Sequence, residues 1–160
     1  MRVATLSLIL ISLVTAGTAA AMDWRQYQNA RFGTSADVPT AFAPAPPPEN
    51  GDGQRFDGPN GTITVYGAFD FTGSFSGYRS FLKDTLESEG WKLTYTPSGE
   101  NWFVLSGVNQ GRILYQRVER PAGCNGDILH HIEFRYPARD GMEWESIVER
   151  GAKSLDGPCG

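Results

Sequence analysis

The chain has 160 residues, with 18 acidic and 14 basic side chains, a formal net charge of −4 at pH 7, 19 glycines, 10 prolines and 2 cysteines. A negative chain without a run of like charge is a poor match for nucleic acid or an anionic membrane surface, because both are held mainly through clustered Lys and Arg. The length fits one domain with its own core, and glycines and prolines lying mostly between apolar segments point to strands and turns.

Met1 and Arg2 precede an almost wholly apolar run over 3–14, and 15–21 is a small-residue stretch ending Ala19-Ala20-Ala21. This is the pattern of a secretory signal peptide, with cleavage expected after Ala20 or Ala21 and the second preferred. The apolar run is shorter than the roughly 20 residues of a membrane span, and no later segment reaches that length. The expectation is therefore a signal peptide over 1–21 and a single globular domain over 22–160, periplasmic or secreted.

Asp23 followed by Trp24 and Tyr27 reads as a short helical turn, capped by the aspartate and carrying its two aromatics on one face. Residues 32–38 read as a first strand, and 39–48, with Pro44, Pro46, Pro47 and Pro48, as an extended polyproline-like loop covering a sheet edge. The segment ENGDGQRFDGPNG over 49–61 holds Asn50, Asp52 and Asp57 among glycines. A calcium loop needs Gly where Arg55 stands and a glutamate where Gly61 stands, so two turns around a short strand at 54–56 fit better. Asn60-Gly61-Thr62 is also a glycosylation acceptor pattern.

Over 62–69, Ile63, Val65 and Phe69 alternate with Thr and Tyr, the period of a half-buried strand. Tyr78, Phe81, Leu82 and Leu86 recur at helical spacing until Gly90. Alternation resumes at 91–95, and turns at 98–101 and 109–111 separate strands at 102–108 and 112–118. Gly73-Ser74-Phe75-Ser76-Gly77 carries Phe where a nucleophile elbow needs Ser, and no glycine-rich loop ends in Lys-Ser or Lys-Thr.

Both histidines fall in CNGDILHHIEFRYP, 124–137. On a strand Ile128, His130, Ile132, Phe134 and Tyr136 share one face, and Leu129, His131, Glu133 and Arg135 the other. Adjacent histidines then point apart and cannot readily hold one metal, so neither metal nor cofactor is expected, and no catalytic residue is assigned. His130 reads as a neutral, hydrogen-bonded core residue. His131, Glu133 and Arg135 read as a solvated row and as the candidate contact for a partner or ligand. The last helix places Trp144, Ile147, Val148, Gly151, Ala152 and Leu155 on one apolar stripe, with Glu143, Glu145, Glu149, Arg150 and Lys153 on its wet side. Cys124 and Cys159, an even pair in an exported chain, are expected to form a disulfide that stabilises the fold by roughly 4 kcal/mol. The fold class follows: α+β, one domain, an antiparallel sheet of about seven strands with two main helices packed on it.

Trp24, Tyr27, Asn29 and Arg31-Phe32-Gly33, the segment 39–57, the Cys124 strand ending in Tyr136-Pro137, and Ile147-Val148, Arg150 and Ser154-Leu155 together carry a resemblance. The chain resembles a group of small, largely uncharacterised exported bacterial proteins, and its layout is similar to the PsbP-like architecture, an antiparallel sheet flanked by helices. The resemblance implies a non-enzymatic binding or accessory role beside larger complexes, with an unknown protein or envelope component as partner. It supplies no catalytic residue. The alternative is a hydrolase or small-ligand-binding protein whose site the spacing does not reveal. A deep pocket gathering His131 and Glu133 would favour that alternative, and a filled surface the binding role.

Overall fold

A computed structural model describes residues 22–124 and 127–159. The expected signal peptide, 1–21, lies outside the described residues. Strands β1 (Trp24–Gln28) and β2 (Ser35–Pro39) form a two-stranded antiparallel sheet. The main sheet contains β3 (Ala43–Pro44), β4 (Gly53–Asp57), β5 (Thr62–Phe69), β6 (Lys92–Tyr95), β7 (Trp102–Asn109), β8 (Arg112–Glu119) and β9 (Ile128–Pro137). Its order is β3-β4-β5-β9-β8-β7-β6, antiparallel throughout. Helix α1 (Phe75–Ser88) links β5 to β6, and α2 (Gly141–Lys153) follows β9. This is the α+β domain expected, with the small β1-β2 sheet added to it.

The helices occupy opposite faces of the main sheet. Against one face, α2 and the β1-β2 hairpin pack Trp144, Ile147, Ala36 and Val38 on Ile63, Val65, Ile132 and Phe134. Against the other, α1 packs Tyr78 and Leu86 on Phe103, Leu105, Leu114, Val118 and Leu129. Full burial of each large apolar side chain contributes about 1.5–3 kcal/mol, so each helix is held by its own stripe rather than by its intrinsic helix preference. Local signals set the helix ends. Ser74 caps α1 by accepting from the Gly77 amide at 3.1 Å, and Gly90 follows the helix with φ of 90°.

Two local expectations are corrected. The segment beginning at Asp23 is strand β1, not a helical turn, because every residue from Trp24 to Gln28 pairs with β2. A five-residue helix has little to offset its nucleation cost, whereas the ladder satisfies the backbone and suits Trp and Tyr. The strand expected at 32–38 starts later, at Ser35. Before it, the buried Asn29 side chain accepts from the amides of Arg31 and Phe32 at 3.1 and 2.7 Å and folds the chain into a turn. In the proline-rich segment Ala43–Pro44 pairs with β4 at the sheet edge, where a missing proline amide costs no ladder bond.

Cys124 and Cys159 stand at disulfide distance, their Cα atoms 5.5 Å apart. The tail that carries Cys159 is also paired to β2, through reciprocal backbone bonds between Ser35 and Asp156.

Candidate functional site

Strand β9 lies between β5 and β8, and the consecutive buried residues Leu129 to Ile132 show that the first part of its length is also covered on both faces. The parity expected for the histidines holds. His130 shares a face with Ile132, while His131 lies across from Tyr66 on β5 and Val118 on β8. The solvated setting expected for His131 does not hold, since its exposure is 0 %. Helix α1 covers that end of the row, and solvent reaches only the far end. Side-chain exposure rises from 15 % at Glu133 to 38 % at Arg135.

His131 is the centre of a buried polar layer. Its ring stacks on Tyr66, with centroids 4.3 Å apart and planes at 16°, and Tyr78 of α1 brings its hydroxyl to 3.3 Å from Nε2. Gln116 of β8 donates from Nε2 to the Tyr66 hydroxyl at 2.8 Å. The His131 Nδ1 has no hydrogen-bond partner among the described residues. Burial, reinforced by His130 next to it, pushes the His131 imidazole down to about 3. Burial also pushes the Tyr78 phenol up to about 12 and raises that of Tyr66, to which the Glu133 charge adds. At neutral pH all three rings are uncharged, as groups without a counter-charge in a low-dielectric layer must be.

At the open end of the row, Arg135 Nε donates to Glu133 at 2.6 Å, and the guanidinium lies 5.6 Å from the Trp91 ring centroid. A cleft of about 450 Å³ opens at β4 and β5, lined in part by Pro46, Pro48, Asp52, Arg55, Thr64 and Tyr66 but not by His131, Glu133 or Arg135. Tyr66 both lines this cleft and stacks on His131. Asp52 and Asp57, tested above as cation ligands, pair instead with Arg31 and Arg55.

His130 does different work on the opposite face. Its Nδ1 is 2.7 Å from the Thr34 hydroxyl and its Nε2 is 3.0 Å from the Pro158 carbonyl oxygen. The carbonyl only accepts, so Nε2 carries the proton and the Thr34 hydroxyl donates to Nδ1. Burial lowers the His130 pKa, against the opposing pull of the Pro158 carbonyl. The imidazole thus ties the C-terminal tail to the turn before β2. Gly157 lies so close over the ring that an added Cβ would collide with it.

His131, Glu133 and Arg135 share one face of β9, the placement that the two-residue period of a strand gives. Sequence alone missed Tyr66, Tyr78 and Gln116, which complete the layer. Tyr66 carried a usable signal, as it alternates out of phase with Ile63 and Val65, whereas Gln116 carried none.

No protein-family model matches the chain, and no curated protein matches it in sequence. Solved structures do match in fold. Cyanobacterial PsbP (CyanoP) from Synechocystis sp. PCC 6803 superposes with a TM-score of 0.65 at 12% identity, covering 91% of this chain and 99% of that one. The Saccharomyces cerevisiae Ran-binding protein Mog1p gives 0.60 at 11% identity, covering 86% of this chain and 96% of that one. A Mog1 mutant gives 0.58 at 11% identity, covering 85% and 96%. The chain has the PsbP-like fold, which these proteins share.

Proposed function

We propose that this chain is a non-enzymatic binding or accessory protein that works after export, in the periplasm or outside the cell, with a protein as its partner. One observation carries the reading. The imidazole at the centre of the β9 row is committed to structure: His131 is neutral and sealed under Tyr66 and Tyr78. An acid/base catalyst needs a group that exchanges protons with a bound reactant near the working pH, and His131 meets neither condition. The PsbP and Ran-binding Mog1 neighbours support a binding role by analogy of fold. The apolar run over 3–14 and the cysteine pair support export. Within the row, Glu133 and Arg135 are the proposed contact residues, and His131 serves the fold by stacking on Tyr66.

Native mass spectrometry of the protein purified from its own cell envelope tests this reading. It expects the mass of the mature chain alone or with a protein partner. A stoichiometric small molecule released on denaturation would favour the small-ligand alternative instead.

A further inference from the structure

A second surface is built by an irregularity in β6. Regular alternation would send Leu93 and Tyr95 to the same face of the sheet. The register shift between them prevents this: Leu93 stands opposite Gly107, yet Tyr95 stands opposite Ser106, one position further along β7. Ser106 pairs in turn with Tyr115. Leu93 therefore packs in the core under α1, while Tyr95 turns onto the other face beside Tyr115. Re-aiming a side chain is what a bulge does, and the extra residue here is Thr94.

The result is an open groove of about 580 Å³ on the part of that face that α2 leaves uncovered. Tyr95, Tyr115 and Tyr136 line it from the sheet, and Met142, Glu145 and Val148 from α2. Tyr136 is fixed by stacking on Trp144, with centroids 4.6 Å apart. Tyr95 is 56 % exposed and Met142 92 %, so two large apolar side chains stand in solvent at opposite walls. Among the described residues no Lys or Arg lines the groove, and its carboxylates are those of Glu145 and Glu149, of which Glu149 is paired to Lys153.

We infer that this groove is the docking site for an extended segment of a protein partner that places a Lys or Arg, flanked by apolar side chains, between the tyrosines and Glu145. The inference rests on the binding role proposed above and adds a second surface, on the face of the sheet opposite Glu133 and Arg135, with its own partner chemistry. Charge complementarity argues for the cation: the exposed Tyr95 ring and the Glu145 carboxylate both attract it, and the whole chain is negative. The flanking apolar residues follow from Met142, whose flexible thioether adapts to varied protein surfaces, and from the tyrosines, a residue type enriched at interfaces. The bulge and Lys92 blunt β6 as a pairing edge, so the segment lies across the side chains rather than adding a strand.

The test selects a phage-displayed library of random nine-residue peptides against the full mature chain, then titrates synthetic copies of the enriched peptides by amide and ring NMR. The inference expects enrichment of Lys or Arg beside apolar residues, and shifts centred on Tyr95, Tyr115 and Met142. Binding should weaken at least tenfold in Tyr95→Ala and in Glu145→Lys, both at exposed positions and both checked for an unchanged melt. Backbone N-methylation of the peptide should leave binding intact. No enrichment, enriched peptides without a cation, or shifts elsewhere that ignore both substitutions would overturn it. If the groove is silent while the native protein still retains a protein partner, only the surface is wrong and the binding role stands.

Discussion

The imidazole of His131 lies nearly parallel to the phenol of Tyr66, 4.3 Å from it, with the Tyr78 hydroxyl on its edge. Three polar rings from a central strand, its neighbour and a helix therefore form one layer where an ordinary sheet would carry aliphatic residues. Removing the middle ring leaves a cavity. His131→Ala is expected to cost about 2–5 kcal/mol, the range for large-to-small changes in a packed core. His131→Phe keeps the stack and removes the unpartnered Nδ1, but it also takes Nε2 from the Tyr78 hydroxyl, so it should cost about 1–3 kcal/mol, less than the alanine. Chemical denaturation of the two variants checks both values.

His130 makes a separate contribution, because it joins Thr34 to the tail carbonyl of Pro158. His130→Ala should cost about 1–3 kcal/mol and loosen the tail. Hydrogen exchange should then show lost protection at Asp156, whose amide bonds to Ser35 in the intact fold.

Both histidines bind protons less readily folded than unfolded, since burial lowers each pKa from 6.5, that of His131 to about 3. Between these values the unfolded chain holds more protons, and the stability is lost progressively as pH falls from about 6.5 towards 3. The chain has only 2 histidines, so a loss between pH 7 and 5.5 belongs chiefly to them. Urea midpoints at those two pH values should converge in a His131→Phe variant relative to wild type.

The cysteine pair is expected to be oxidised in exported protein. Replacing both with Ser should cost up to about 4 kcal/mol on the loop-entropy account. Thiol labelling of envelope-purified protein before and after reduction tests the pairing, and a melt of the double variant tests its contribution. Two freely labelled thiols would contradict the export reading.

Much of this architecture was legible because it is written in local periods. The alternation at 62–69 coincides with β5, the stripe from Tyr78 to Leu86 lies within α1, and the parity of His130 and His131 follows from the two-residue repeat of any strand. What was not legible is set by neighbours. Glu133 and Arg135 beside His131 resemble a wet row, and nothing within 128–136 tells that α1 covers one end of it. Two amphipathic helices each need a face, however, and a seven-stranded sheet has two. Both helices could equally have shared one face, so the count alone does not place His131 inside. Trp24 and Tyr27 failed for the same kind of reason, because their pairing partner is β2, more than one turn away along the chain.

Arg135 lies on the exposed end of the row, paired with Glu133 beside Trp91. Arg135→Ala should change stability by about 1 kcal/mol or less, as a partly exposed ion pair contributes little. If Glu133 and Arg135 form the contact proposed for them, the variant should lose affinity for the captured partner while its melt is unchanged. Equal affinity would remove that end of the row from the binding surface.

The claim that this chain binds a protein from its surface while its histidine layer serves only the fold is tested most directly by quantitative affinity capture from the native envelope. Wild type and the folded His131→Phe variant serve as paired baits. The account predicts the same protein partner on both, in equal yield. A partner lost from the His131→Phe bait while that variant remains folded, or no protein retained by either, would contradict it.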